Sequence, residues 1–488
     1  MVPSRPAAVR SRAAPTLAAL LAGGTLLAGV LLAALPAAAP AAGFGAPRLI
    51  SPRGGAVDNP VVAVAPTGRV AVLWRTFGRR SSAFGYRAAI GPSVERLGRP
   101  QVVRAGSRAA GSVGGAVVLG RPGGGFVACF GDDPRRGDAV IGCSFAPPGG
   151  GFGPLRVVQR QPWNQRPGFA AAVRPDGRVA LVLSRRIGGG RMALRTATVG
   201  SSGRITGARA LATVHRGDPF DVATTKDGTV AVGWSTGPAA DALGDRTAVL
   251  RLMPPRADRF GPPVAFTSEP GIDGGVALQG GDALMVGYTV GTSAVAGDAR
   301  WVRRLPDGTF APPLRLPRPG SGFVDGAVVA LADGTPFAVS GASRGTDTDC
   351  GNIRAGVVGA GPLVPDATGT TTQRLSTPGQ IALYPQAATL ADGTVVATWR
   401  DAFDASGASR LEVALRPAGA TAFRRPQVLP RISVRDAGLA TGGSGAAMAW
   451  VVGSLPDGPS RIAVSGLRTR APYAPAAPRP PHPATPCS

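Results

Sequence analysis

One short segment recurs along almost the whole chain and constrains its fold more than any other feature. The clearest copy runs from Ala388 to Arg400 (A-T-L-A-D-G-T-V-V-A-T-W-R), where residues of strand character flank the Asp392-Gly393 pair. Asp-Gly supplies the positive φ angles of a tight two-residue turn, so each copy is predicted to be a β-hairpin. Eight copies follow one another at spacings of about fifty residues, as in a repeat protein. They span Val61–Trp74, Ala116–Phe130, Phe169–Leu183, Asp221–Trp234, Val276–Tyr288, Ala327–Val339, Gln386–Trp399 and Gly438–Trp450.

Each hairpin is followed by two further short apolar runs, which in the first unit are Gly85–Ile90 and Pro100–Arg104. Four strands in about fifty residues is the size of a propeller blade. Long helices are disfavoured, because the chain has a single lysine, Lys226, and very few glutamates for their exposed faces. We therefore predict an all-β chain that forms a single closed β-propeller of four-stranded blades. We predict eight blades. The alternative is seven, because the sixth unit is weak and its fourth strand is hard to place near Gln373–Leu375.

Aromatic residues close several hairpins at equivalent positions. Trp74, Trp234, Trp399 and Trp450 occupy this position in four of the copies. We interpret them as a packing layer between adjacent blades rather than as ligand-stacking residues.

The fourth strand of each unit has its own sequence signal, an aromatic residue or glycine followed by proline. Examples are Phe152-Gly153-Pro154, Phe260-Gly261-Pro262, Phe310-Ala311-Pro312 and Phe423-Arg424-Arg425-Pro426. The same pattern occurs in Gly43–Pro47, ahead of the first hairpin, whereas the last unit shows only three strands. We predict that this N-terminal strand completes the last blade, because closure removes the open edges of the array.

The N-terminal 41 residues are predicted to be a signal peptide. Arg5, Arg10 and Arg12 form a basic region before the apolar run Thr16–Leu35, and Ala39-Pro40-Ala41 is a small-x-small cleavage pattern. The chain therefore divides into 1–41 signal peptide, 42–470 β-propeller and 471–488 Pro-rich C-terminal tail. The protein is expected to be secreted or on the cell surface, as a monomer, and to touch the membrane only through an uncleaved signal segment.

Charge and cysteines agree with export. The net charge of +25 comes almost entirely from scattered arginines, which we interpret as the coding bias of a high-GC bacterium. No clustered basic and aromatic residues indicate nucleic acid as a partner. Cys129 and Cys143 fall on neighbouring strands of one unit and are predicted to form a disulfide. Whether Cys350 pairs with Cys487 stays open.

Candidate site residues lie in the segments that enter the inner strands. If the first strand of each blade is innermost, these segments surround one mouth of the central channel. The candidate ligand-binding residues are Trp163, Arg166, Arg216, Asp218, Asp273, Asp325, Tyr384 and Asp436. Among them Asp218, Asp273 and Asp325 are candidates to hold Ca²⁺ through carboxylate oxygen. The alternative is that acids at strand entries accept hydrogen bonds from local backbone amides.

The repeats resemble those of exported bacterial β-propellers, including the sialidase-like and WD40-like groups, and the resemblance covers Phe44 to about Arg470. The nearest match to the sialidase turn S-x-D-x-G-x-T-W is Asp307-Gly308-Thr309-Phe310, which lacks the Ser and the Trp. The Gly-His and Trp-Asp pairs of WD40 repeats are absent. The resemblance is specific for the architecture. For function we expect a non-catalytic extracellular module that binds a carbohydrate, cell-wall or protein partner at the channel mouth. The alternative is a glycan-processing enzyme, sialidase-like or lyase-like, that uses loop carboxylates at the channel mouth; catalytic residues are not identified.

Overall fold

The computed structural model describes residues 43–53, 55–78, 81–108, 115–132, 138–162, 168–215, 218–237, 246–267, 276–290, 298–316, 323–346, 353–363, 365, 373–377, 381–402, 409–429, 434–443, 445–453 and 459–468. All of them belong to one compact unit, Pro40–Ser488. The signal peptide, the C-terminal tail, Cys350 and Cys487 lie outside the described residues and stay predictions. No described residue belongs to a helix that could cross a membrane.

The described residues form strands, numbered β1 to β33 in chain order, and build eight blades. Before the first blade come β1 (Gly43–Phe44) and β2 (Arg48–Leu49). Blade 1 contains β3 Ala56–Val64, β4 Val70–Gly78, β5 Ser81–Gly91 and β6 Gln101–Arg108; blade 2 contains β7 Ala116–Gly120, β8 Phe126–Asp132, β9 Asp138–Ala146 and β10 Arg156–Pro162. Blade 3 contains β11 Phe169–Val173, β12 Val179–Gly188, β13 Arg191–Val199 and β14 Ile205–His215; blade 4 contains β15 Phe220–Thr224, β16 Val230–Thr236, β17 Thr247–Met253 and β18 Pro263–Val264. Blade 5 contains β19 Ala277–Gln279, β20 Met285–Val290, β21 Asp298–Arg303 and β22 Leu314–Arg315; blade 6 contains β23 Phe323–Ala330, β24 Pro336–Thr346, β25 Ile353–Pro362 and β26 Gln373–Arg374. Blade 7 contains β27 Ile381–Thr389, β28 Val395–Ala402, β29 Ser409–Arg416 and β30 Gln427–Leu429; blade 8 contains β31 Val434–Gly442, β32 Gly445–Gly453 and β33 Ser460–Arg468.

Within each blade the strands pair antiparallel in chain order. The first strands of neighbouring blades contact one another, in the series β3–β7–β11–β15–β19 and again in β23–β27–β31–β3, so the first strand is innermost. The prediction of an eight-bladed propeller is confirmed, and the seven-bladed alternative is wrong. The doubtful sixth unit is a complete blade, whose fourth strand β26 has only two residues, Gln373 and Arg374.

The hydrophobic core is divided among the interfaces between blades. Each interface has one cluster of buried side chains, and the cluster that contains Trp74 and Val451 joins blade 8 to blade 1. Trp74, Trp399 and Trp450 are completely buried in these clusters. The predicted packing layer is therefore present, and it runs unbroken around the ring.

The N-terminal segment closes the ring as predicted. β1 pairs with β33 through Gly43 and Arg468, and β2 pairs with another part of the same edge of β33, through Arg48 and Val464. Gln427 of blade 7 fixes the same segment, because its amide donates to the Phe44 carbonyl at 2.8 Å and accepts from the Phe44 N–H at 3.0 Å. Gln373 of blade 6 makes the same two bonds to Phe423 of blade 7, at 2.8 and 2.6 Å. Phe44 thus has the structural role that Phe423 has inside the ring.

Six of the repeated hairpins have turns that differ in one detail from the prediction, and their turn glycines are Gly68, Gly124, Gly177, Gly228, Gly334 and Gly393. Only the glycine has a positive φ, as at Gly393 with φ 87°, and the Gly393 N–H donates to the Leu390 carbonyl at 2.9 Å. This is a three-residue loop, a type I turn followed by a glycine bulge, rather than a two-residue turn. Asp is needed for another reason: the Asp392 carboxylate accepts the Thr394 N–H at 2.9 Å and so stabilises the turn.

The predicted disulfide between Cys129 and Cys143 is present. The two residues lie directly opposite each other on β8 and β9, and both are completely buried between blades 2 and 3.

Candidate functional site at the channel mouth

A cavity of about 680 Å³ opens at the mouth of the channel, where the inner strands begin. We call it the rim cavity. Its lining comes from blades 7, 8, 1 and 2 and consists of Asn59, Pro60, Val61, Gly115, Ala116, Tyr384, Gln386, Thr398, Trp399, Arg400, Leu411, Asp436 and Ala437. The cavity therefore spans the seam at which the N-terminal strand closes the ring.

Three consecutive inner strands are bulged at this level. The register of the inner hairpin breaks between Asp58 and Val61 in blade 1, between Leu383 and Gln386 in blade 7, and between Val434 and Ala437 in blade 8. The described parts of the other five inner strands pair without a break. Bulges re-aim side chains and are common next to active sites. Here they turn Asn59, Tyr384 and Asp436 toward one cavity.

Proline causes two of these bulges. Pro60 and Pro385 have no N–H to donate to the ladder, so the strand cannot continue regularly through them. The residues before them, Asn59 and Tyr384, have positive φ angles of 45° and 54°. Asparagine tolerates this left-handed region, but a bulky tyrosine there is strained by an amount of about 1–3 kcal/mol. Strain of this kind is typical of functional sites.

Tyr384 is the most exposed large aromatic ring of the described residues, at 59%. The guanidinium of Arg400, on the neighbouring strand β28, lies 4.7 Å from the centroid of its ring. One face of the ring is thus covered by a cation, and the pair forms part of the cavity wall. An aromatic ring next to a cation suits a ligand with apolar faces and anionic groups.

A group of charged residues continues the wall on the other side of the seam. Asp436 of blade 8 accepts the Asn59 N–H at 3.4 Å. Arg75 binds Asp58 with two hydrogen bonds, one of them from Nε at 2.7 Å. Burial alone lowers the pKa of the Arg75 guanidinium, but the hydrogen bonds and charge of Asp58, with the charges of Tyr86 and Asp436, raise it above its ordinary value. Arg75 therefore stays charged and neutralises Asp58, which leaves Asp436 as the carboxylate of the described lining.

Gln386 fixes the distance between blades 7 and 8 at the cavity floor. Its amide donates to the Ala437 carbonyl at 3.0 Å and accepts from the Leu439 N–H at 3.1 Å. These bonds join the inner strands of blades 7 and 8, which do not pair with each other as neighbouring strands of one sheet do. The residues that carry Tyr384 and Asp436 are thereby held in a fixed relation.

Of the predicted site residues, the structure brings Tyr384 and Asp436 together in the rim cavity. Asp218 lies elsewhere: its side chain is 1% exposed, accepts the His215 N–H at 2.8 Å and pairs with Arg246 at 3.3 Å. This contact with a local amide is the one the alternative interpretation expects. Asp325 lies on β23, but its side chain is outside the described residues. Trp163, Arg166, Arg216 and Asp273 are outside them altogether.

The predicted Ca²⁺ site stays a prediction. Within the part of the chain that the structure describes, no three His, Cys, Asp or Glu side chains form a group that could hold a metal ion. Asp273 and the side chain of Asp325, two of the three candidate ligands, lie outside the described part of the chain.

The sequence analysis missed Arg400, Gln386 and the role of the two prolines. The signal that could have found them is an X-Pro pair just inside an inner strand, at Asn59-Pro60 and at Tyr384-Pro385. Such a pair breaks the ladder and predicts a bulge. Arg400 becomes a candidate only once the register of β27 and β28 is known.

The class of protein defined by the fold is a closed eight-bladed β-propeller with a cavity at one channel mouth. No known protein family matches the sequence, and no curated protein matches it either. Solved structures with a similar arrangement include an ulvan lyase bound to a GlcA(1-4)Rha3S repeat, at 10% identity and a TM-score of 0.45, covering 85% of this chain and 94% of that one. An α-L-arabinanase of Penicillium chrysogenum has 11% identity and a TM-score of 0.40, covering 88% and 99%. The Dos1 propeller has 10% identity and a TM-score of 0.41, covering 86% and 94%. Glycoside hydrolases and lyases are thus among the structures with a similar fold.

Proposed function

We propose that this protein is an extracellular glycan-processing protein and that the rim cavity is its active site. The observation that carries the proposal is Tyr384, a strained and exposed tyrosine on a bulge, with Arg400 over its ring and Asp436 across the seam. A cavity of about 680 Å³ falls within the range of small-molecule and oligosaccharide sites.

A carbohydrate suits this lining better than an apolar ligand does. The ring of Tyr384 offers a surface for the apolar face of a sugar ring. Asn59, Gln386 and Asp436 add hydrogen-bonding groups at fixed positions around it. The predicted secretion of the protein would expose the cavity to extracellular polysaccharides.

The reaction class best supported is elimination from a uronate. In such a step a base removes the proton α to the sugar carboxylate, a double bond forms between C4 and C5, and the C4–O bond breaks. The leaving oxygen takes up a proton. Tyr384 is the acid-base group in this proposal, and Arg400 stabilises the negative charge that develops on the carboxylate. Asp436 orients the sugar by accepting hydrogen bonds from the hydroxyl groups of the sugar.

A non-catalytic binding module is the second candidate, and one observation favours it. Hydrolysis of a glycosidic bond usually needs two carboxyl groups on either side of the bond. Among the described lining residues of the rim cavity Asp436 is the one carboxylate, since Asp58 is engaged by Arg75. A cavity without turnover would bind the glycan and leave it intact.

The test separates binding from turnover. The secreted protein is mixed with polygalacturonate, alginate, arabinan and xylan, and both the affinity and the ultraviolet absorbance of new double bonds are measured. Tyr384→Phe keeps the ring and loses the hydroxyl, so we expect binding within about twofold and turnover lowered by about 10²–10⁴-fold. Tyr384→Ala should lose both binding and turnover. Arg425→Gln, an exposed arginine of the same blade, is the control for Arg400→Gln.

Each outcome decides between the two candidates. Uronate-specific turnover that depends on the Tyr384 hydroxyl supports the enzyme. Binding by the unmodified protein without any product supports the binding module and overturns the enzyme. Turnover that is unchanged in Tyr384→Phe and Tyr384→Ala would place the active site elsewhere.

A further inference from the structure

A second, strongly basic groove lies on blade 3, and its lining shares no residue with the rim cavity. It encloses about 430 Å³ and is lined by Arg185, Arg186, Ile187, Ala193, Arg195 and Ala210. No Asp or Glu is among these residues. Two alanines at the floor leave room between the arginine side chains.

The register of the blade places two of the arginines side by side. Arg185 lies opposite Ala193 and Arg195 lies opposite Leu183 on the paired strands β12 and β13. Since side chains two apart point to the same face, both arginines project from the face on which Leu183 packs against blade 2. They are diagonal neighbours, within reach of anionic groups on one ligand chain.

These guanidinium groups form few hydrogen bonds or ion pairs within the described protein. Arg195 donates from Nη2 to the Ala208 carbonyl at 2.6 Å, which fixes its direction and leaves its other N–H groups available. Arg185 is exposed and Arg186 is half-buried, and neither forms an ion pair or side-chain hydrogen bond with another described residue. Packing like charges without counter-charges costs free energy, and a bound polyanion would offset that cost.

The hairpin that carries the groove is built to project. After Ile187 come Gly188, Gly189 and Gly190 with φ angles of 96°, 55° and 71°, a run that residues with a Cβ rarely adopt. Arg191 then begins β13 opposite Gly188. The tip thus presents Arg185, Arg186 and Arg191 on a glycine turn, with Ile187 53% exposed between them.

We propose that this groove is a second binding site, for an anionic polysaccharide bearing carboxylate or sulfate groups. Arginine suits these groups because its planar guanidinium binds their oxygens with two parallel hydrogen bonds. A membrane surface fits less well, because insertion needs several apolar residues and the tip has Ile187 alone. The site would hold a long glycan at the protein surface independently of the chemistry in the rim cavity.

The test measures binding of dextran sulfate to the full-length protein, with uncharged dextran as the ligand control. Arg185→Gln together with Arg195→Gln should weaken binding of dextran sulfate about tenfold, equal to about 1.4 kcal/mol, and raised salt should weaken it further. The control, Arg424→Gln with Arg425→Gln, removes the same charge from an exposed segment of blade 7 and should change binding less than twofold. Arg185→Gln alone, which removes no contact within the described protein, should give a smaller loss in the same direction.

Three outcomes would overturn the proposal. The first is an equal loss in the groove and control variants, which would mean that net charge alone binds the polymer. The second is a loss that appears only with phosphatidylglycerol vesicles and follows Ile187→Ser, which would assign the tip to a membrane. The third is loss of dextran sulfate binding in Tyr384→Ala, which would assign the sulfated polymer to the rim cavity. Groove binding that persists in Tyr384→Ala supports the second site, whatever the fate of the proposed enzyme.

Discussion

At the scale of single residues, Tyr384 combines a strained backbone with an exposed side chain. Its φ of 54° is unfavourable for any residue with a Cβ, and the ring has little burial to offset this. Glycine has no such penalty. The local conformation is therefore kept at a cost in stability, as expected where a side chain is held for function.

We predict that Tyr384→Gly leaves the free energy of unfolding unchanged or raises it by up to about 1 kcal/mol, although it removes the ring. The gain from relieved strain and the loss of the contact with Arg400 oppose each other. Thermal unfolding measures the change, and Tyr288→Gly, in a buried ring position with an ordinary backbone, should lose several kcal/mol. A large loss of stability in Tyr384→Gly would show that the ring is structural.

At the scale of single elements, the repeated turn depends on the aspartate as well as on the glycine. The Asp227 carboxylate accepts hydrogen bonds from the Thr229 N–H at 2.9 Å and from the hydroxyls of Thr225 and Thr229. Burial is the largest single effect and opposes ionisation, but these bonds and the charge of Arg304 together outweigh it and lower the pKa of Asp227 below its ordinary value of 3.8. The ionised carboxylate is therefore more stable in the folded chain than in the unfolded chain.

We predict that Asp227→Ala lowers the free energy of unfolding at pH 7 by about 0.5–1 kcal/mol. Because the folded pKa is depressed, this contribution is complete above the unfolded pKa and is lost as the pH falls through the folded pKa. Denaturant unfolding of the unmodified protein and of Asp227→Ala, at pH 7 and at pH 3, measures the difference between their free energies of unfolding, which should be smaller at pH 3. The control is Asp282→Ala, which removes an exposed ion pair with Lys226 and should change little. A difference that stays constant with pH would contradict the assigned role.

The disulfide is the other device at this scale. It joins β8 to β9 across a separation of 14 residues in the interface between blades 2 and 3. We predict that Cys129→Ala with Cys143→Ala lowers the free energy of unfolding by up to about 3 kcal/mol, through the larger entropy of the unfolded chain. Urea unfolding of the oxidised protein measures the change. Cys350→Ala with Cys487→Ala is the comparison, and an equal loss there would reveal a second bridge.

Which elements could be predicted from the sequence follows from how local their causes are. Asp-Gly pairs and alternating apolar residues determine the structure of the few residues around them. The hairpins and their number could therefore be predicted from the sequence. The glycine bulge in six of the turns could not be predicted, because a two-residue and a three-residue loop can share the same Asp-Gly pair. The strand β26 was hard to place because it has two residues and is fixed by the side chain of Gln373 rather than by a long ladder.

At the scale of the whole molecule, the seam of the ring and the rim cavity coincide. Asn59 follows the closing segment in sequence and meets Asp436 of the last blade across the seam. Ser460 of blade 8 also binds both backbone groups of Val57 in blade 1, at 2.7 and 3.0 Å. Tyr384 and Asp436 could be placed on one rim from the strand order alone. Their partners Arg400 and Gln386 could not, since register and bulges decide which side chains meet.

We predict that deleting residues 43–51 exposes β33 and lowers the hydrogen-exchange protection of blade 8, far away in sequence. The deletion removes the strands that pair with Arg468 and Val464. Gln427→Leu is a milder form, because it leaves the two backbone groups of Phe44 without their partner and should cost about 1–3 kcal/mol. Unchanged protection of blade 8 in both variants would mean that the last blade is stable without its N-terminal strand.

The central claim is that a glycan binds in the rim cavity, across the seam. Hydrogen exchange of the unmodified protein with and without oligogalacturonate tests it most directly, because it locates the ligand without requiring turnover. We expect the added protection to fall on Ala56–Val64, Ile381–Thr389 and Val434–Gly442, the three bulged inner strands. The regular inner strands Phe220–Thr224 and Ala277–Gln279, on blades without a proposed site, should be unchanged and serve as internal controls. Protection confined to those two strands, or none at saturating oligosaccharide, would contradict the account.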